Sequence, residues 1–185
     1  MPTVKNEQVV DKWSILIRNA QGRAGYIFGN TGNAIDQSDV PSVRVVKRKI
    51  SPGLLKGLLG ATRDFMVVTE TGNRKLKPYQ MFIGARDYGN NLDVSWYLTY
   101  RLTFWQRLRA FFRALPLIGL LFIGGEPIDF EKGLPNLDFF DEQDLRAYTT
   151  NVHGCLKETV EKLLAELGQD PSKINWKSRG FLGIS

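Results

Sequence analysis

From Pro41 onward the chain falls into stretches where apolar and polar residues alternate, the pattern of strands that bury one face. Residues 42–50 set Val43, Val45 and Lys47 on one side and Arg44, Val46 and Arg48 on the other, which predicts a strand with a basic face. A second strand is expected at 64–71 and a third at 79–86, with Thr71-Gly72-Asn73 supplying turn chemistry between them. After the turn residues 87–91, Leu92, Val94, Trp96, Leu98, Tyr100 and Leu102 alternate without a break and predict the longest strand, 92–102. These segments form an antiparallel meander at 64–102, extended by the strand at 42–50. Further upstream, 13–18 has strand-like apolar content but could equally close a helix that begins near Val4.

In the C-terminal third the period changes. Leu145, Tyr148, Val152, Leu156, Val160, Leu163 and Leu167 recur every three or four residues, the spacing of one apolar helix stripe. Asp138 or Asp141 can cap this helix, Glu142 and Asp144 suit its first turn, and Gly168 with Pro171 beyond it ends the run. The fold predicted is α+β: an antiparallel sheet of four to five strands packed against a long C-terminal helix, 138–168, in a single domain over 1–185. Gly22, Gly25, Gly29 and Gly32 would form one glycine stripe on a helix. Each helical glycine costs about 1 kcal/mol relative to alanine, so the expectation there is a loop or an irregular helix. Their order matches neither a dinucleotide fingerprint nor a P-loop.

Composition narrows the picture. With 185 residues, 43% of them apolar and 24% charged, the chain has material for a real core, which excludes wholesale disorder. A lone cysteine, Cys155, excludes an internal disulfide, and a lone histidine, His153, excludes the usual Cys/His zinc sites. No apolar run follows Met1, so no secretory leader is expected, and a cytoplasmic setting, at the inner face of a membrane if the chain binds one, is the expected location. The net charge of +6 conceals opposing blocks: 14 basic against 4 acidic side chains in 42–113, then 4 against 11 in 126–170. Mutual attraction of these blocks within one fold would hide part of the basic field.

Catalytic chemistry finds little support. His153 and Cys155, two apart on a helix, point about 200° from each other and cannot share a proton; His153 is expected on the polar face and Cys155 in the core. Asp64, Asp87 and Asp93 could supply a carboxylate pair only if sheet register united them, and strand-end aspartates are usually turn residues. No catalytic residue, metal ligand set or cofactor motif is assigned.

One segment is unusual. Residues 104–125 carry Arg107, Arg109 and Arg113 among Trp105, Leu108, Phe111 and Phe112, then run uncharged from Ala114 to Gly125. Twelve uncharged residues fall short of the roughly 20 that span a bilayer. Pro116 and Gly119 favour a helical hairpin or loop over a rod. At about 1.5–3 kcal/mol per buried side chain, Leu117, Ile118, Leu120, Leu121 and Phe122 require a cover: the chain's own core, a hydrophobic protein partner, a second copy in a homo-oligomer, or an anionic membrane surface. Leu54, Leu55, Leu58 and Leu59 echo this in the connection 52–60, and the two segments would act together if they emerged at one end of the sheet.

The leading expectation is a non-enzymatic domain that meets a membrane surface or a hydrophobic partner through those two segments. The alternative is nucleic acid, less favoured as a partner, bound by Arg44, Lys47, Arg48, Lys49, Arg74, Lys75 and Lys77, with Tyr79 or Tyr88 for stacking. A third is a small-molecule pocket between sheet and helix lined by Phe65, Met81, Phe82, Trp96 and Tyr100.

Overall fold

The computed structural model describes residues 9–50, 62–101 and 137–177. In chain order these form β1 (Val9–Ile17), α1 (Ala24–Gln37), β2 (Val43–Ile50), β3 (Arg63–Glu70), β4 (Tyr79–Tyr88), β5 (Asn91–Tyr100), α2 (Phe139–Glu166) and a 3-10 turn at Pro171–Lys173. The five strands make one antiparallel sheet in the order β1-β5-β4-β3-β2. The α+β fold read from the periodicities is therefore present. The apolar segments 52–60 and 104–125 lie outside the described residues.

Register divides the side chains cleanly. Trp13, Trp96, Ile83 and Met66 form one row across the sheet, and Leu98, Met81, Val68 and Val45 form the next. Both rows face the helices and belong to the main core with Leu145, Val152, Leu156 and Val160 of α2. On the outer face lies a smaller apolar group, Ile50, Val67 and Phe82, flanked by Phe65 and Tyr97. Phe65 and Phe82 are thus turned away from Met81, Trp96 and Tyr100, and the lining expected for a sheet-helix pocket is split between two faces.

α2 is 28 residues, about 42 Å long, and exceeds any strand it crosses. Asp138 is its N-cap and Asp141 sits at N3, each side chain accepting from the other's backbone N–H, so both predicted caps act in one capping box. At the far end Gln169 N donates to Leu164 O at 2.9 Å and Gly168 N to Ala165 O at 3.1 Å, with Gly168 at φ +68°: a Schellman stop.

The glycine-rich stretch is a correction. Residues 24–37 form α1, a regular helix of 14 residues that buries Ile27, Phe28, Thr31 and Ile35 against α2 and the sheet. That stripe outweighs the glycine cost. The glycines serve no close helix contact: a Cβ at Gly25 or Gly29 would meet nothing within 4 Å, and at Gly32 only Met66 Cε at 3.6 Å. Gly22, at φ +80°, lies before the helix, and its N–H donates to Asp87 at 2.9 Å.

His153 is the second correction. It is 2% exposed, set between Trp96 (ring centroids 5.1 Å apart) and Trp13 (5.5 Å). Because α2 packs against the sheet and also against α1, its buried surface is broader than one stripe and includes Thr149, His153, Cys155 and Thr159. Cys155 is buried as expected.

A meander alternates its connections between two ends. β2 runs from Val43 to Ile50, β5 returns to Tyr100, and Tyr100 pairs with Tyr79 at the end opposite Ile50 and Arg63. We call the Tyr79–Tyr100 end the upper end and the Ile50–Arg63 end the lower. Ile50 and Arg63, which flank 51–61, stand at the lower end, and Tyr100, which leads into 102–136, stands at the upper.

Candidate anion-binding site

The basic face predicted for β2 is on the outer side of the sheet. Arg44, Val46 and Arg48 share parity with Thr69, Val67 and Phe65 of β3 and with Gln80, Phe82 and Gly84 of β4. Towards the upper end these residues surround a depression of about 210 Å³, walled by Arg44, Arg48, Lys77 and Arg101 and floored by Val46, Val67, Thr69 and Gln80. Arg101 continues β5 by one step, its N–H donating to Pro78 O at 2.8 Å. None of the four cations forms an ion pair among the described residues, whereas Arg86 is held by Asp93 at 2.9 Å.

One carboxylate, Glu70, reaches the depression. It accepts from Gly72 N at 2.7 Å and Asn73 N at 2.8 Å, fixing the turn after β3. The hydroxyls of Thr69 and Thr71 donate to Arg44 O (3.4 Å) and Ser42 O (2.8 Å). Both hydroxyls line the depression beside the four cations, the Glu70 carboxylate and the Gln80 amide.

The remaining residues of the predicted nucleic-acid set are dispersed. Lys47 lies on the inner side, its Nζ 5.7 Å from the Phe28 ring centroid, and Lys49 shares that parity. Arg74 is exposed in the 71–78 connection and does not line the depression. Lys75 bridges Asp138 at 2.8 Å and Asp141 at 2.6 Å, the point where the basic and acidic blocks meet. Hydrogen bonds from Lys75 and Asn73 hold the Asp141 carboxyl down to about 2, and the same two aspartates raise the Lys75 ammonium above its ordinary value. Tyr79 is fully buried against Tyr100, and burial raises its phenol, so it offers no stacking surface. Tyr88 is exposed, under the Arg86 guanidinium, at the lower end.

Leu54, Leu55, Leu58, Leu59, Trp105, Arg107, Arg109, Arg113, Leu117, Ile118, Leu120, Leu121 and Phe122 all lie outside the described residues. What the structure adds is Phe139 and Phe140, 76% and 73% exposed, at the upper end where Leu137 resumes the described chain. Two signals in the sequence mark these residues. Arg101 has the outward parity of Tyr97 and Thr99, and Phe139 and Phe140 fall off the stripe that begins at Leu145.

Elsewhere chemistry is sparse. Asp93 pairs with Arg86 and Asp87 accepts from Gly22, so the aspartates do not converge on one another. A polar groove of about 570 Å³ between α1 and α2 is lined by Asn30, Asn33, Gln37 and Asn151, with Glu158 and Lys162 paired at 2.7 Å; burial pushes the Cys155 thiol there up, away from the reactive thiolate. Among the described residues no three His, Cys, Asp or Glu are grouped to hold a metal ion, and no helix is long and apolar enough to cross a membrane. No protein-family model, curated protein or solved structure matches this chain.

Proposed function

We propose that this chain is a non-enzymatic domain that attaches peripherally to an anionic membrane surface, upper end first. The observation that carries the reading is a coincidence of place. The cations Arg44, Lys77 and Arg101, which form no ion pair among the described residues, the exposed rings of Phe139 and Phe140, and both attachment points of the apolar, arginine-bearing stretch 102–136 belong to the same end of the sheet. Each phenylalanine gains about 1.5–3 kcal/mol on leaving water, and each basic group about 1 kcal/mol near an anionic leaflet. Neither term anchors a protein alone; together they suit reversible binding.

Co-sedimentation with vesicles tests this. Wild type pellets with phosphatidylserine-containing vesicles and not with phosphatidylcholine alone. Phe139→Ser with Phe140→Ser, and separately Leu120→Asp with Phe122→Asp, weaken binding about tenfold or more, and high salt weakens it further. A folded, monodisperse wild type that stays in the supernatant with every vesicle overturns the membrane reading and leaves the hydrophobic protein partner.

Nucleic acid is a second reading, favoured by one observation: Phe65 and Tyr97 are partly buried on the outer face that also carries Arg44 and Arg48. A labelled single strand whose log K falls steeply with log salt supports it, and no binding at low salt ends it.

A further inference from the structure

We infer that the outer-face depression is a phosphomonoester site, selective for a terminal phosphate over diffuse negative charge. The inference rests on the membrane reading only for the source of the ligand, a lipid head group; a free phosphorylated solute shares the chemistry. Three guanidinium groups and one ammonium border about 210 Å³, the liquid volume of about seven waters. That admits a phosphate with part of a polyol ring and excludes an acyl chain. Guanidinium presents a planar fork of N–H donors that matches two phosphate oxygens at once, and ammonium adds a point charge.

Four like charges that form no ion pair among the described residues repel one another, and a dianion relieves what a single delocalised charge cannot. A phosphomonoester carries about −1.5 to −2 charges at neutral pH and exposes three terminal oxygens. A phosphodiester head group such as phosphatidylserine has two of its four phosphate oxygens esterified. Glu70, which also lines the depression and accepts from the Gly72 and Asn73 amides, offsets one of the four charges, and the surplus that remains still calls for more than one anionic charge. Gln80 and the Thr69 oxygen on the floor add hydrogen-bonding partners for phosphate oxygens and neighbouring polyol hydroxyls.

The test compares vesicles matched in surface charge, one set containing phosphatidylserine and the other phosphatidylinositol 4-phosphate, alongside soluble inositol trisphosphate followed by calorimetry. The wild type prefers the phosphomonoester vesicles by tenfold or more and binds the soluble trisphosphate. Arg44→Gln with Arg48→Gln, and independently Lys77→Gln with Arg101→Gln, bring the preference to near one while circular dichroism and melting stay unchanged. Equal binding to charge-matched vesicles with no binding of the trisphosphate overturns the site and leaves the membrane reading intact. Trisphosphate binding by wild type and not by the variants, without vesicle binding, upholds the site and overturns the membrane reading. Silence in every arm overturns both, and a preference that survives both variants overturns the site.

Discussion

His153 is a neutral imidazole in an apolar setting. Among the described residues its Nε2 has no partner, nor has the neighbouring Trp96 Nε1, and burial lowers its pKa to about 4, with Lys157 adding in the same direction. In the unfolded chain a histidine titrates near 6.5, so between about 6.5 and 4 the unfolded state binds the proton and the folded state does not. Stability is full above 6.5 and falls as pH drops through that window, by about 3 kcal/mol for the 2.5-unit difference. Denaturant melts at pH 7 and pH 4.5 should show most of this loss in wild type and a flatter profile in His153→Phe. Identical profiles would contradict the buried neutral form. The carboxylate of Asp141, held near 2, loses its contribution only at lower pH and leaves this window clear. The position itself was legible only in part: a 3.6-residue stripe marks the centre of a helix's contact, and the two large rings Trp13 and Trp96 of the sheet extend that contact to cover His153 beside it.

The helices and strands differ in how plainly their sequences announced them. β5 alternates for its whole length, and each of its even positions from Leu92 to Tyr100 is buried. α1 was obscured because its apolar contacts, Ile27, Phe28, Thr31 and Ile35, are interleaved with glycines whose intrinsic cost argues the other way; tertiary packing decides. On α2 the stripe was correct, and two substitutions separate packing from propensity. Leu156→Ala, at a fully buried core position, should cost about 2–5 kcal/mol. Gly154→Ala, exposed and with nothing within 4 Å of the added Cβ, should stabilise by about 0.5–1 kcal/mol. Equilibrium unfolding of both would expose a misassigned helix face if Leu156 proved indifferent or Gly154→Ala proved damaging.

Across the molecule, charge and topology act together. The basic and acidic blocks meet through Lys75, Asp138 and Asp141, yet among the described residues Arg44, Arg48, Lys77 and Arg101 form no ion pair; they lie on the opposite face of the sheet from the helices. Arg44 and Arg48 were legible as a pair from strand parity; their union with Lys77 and Arg101 depends on strand order, which local pattern does not specify. That Ile50 and Arg63 stand at one end and Tyr100 at the other follows from the meander itself, since successive connections alternate ends. That geometry gives the domain a polarity. Depth-dependent quenching on anionic vesicles by brominated lipids measures it, with one fluorophore per protein at Gln143→Cys, near the upper end, or Asn90→Cys, at the lower; the thiol of Cys155 is buried and its raised pKa keeps it out of the labelling reaction. The dye at 143 should be quenched on binding and the dye at 90 should not. Quenching at 90 alone, or equally at both, would contradict the upper-end orientation.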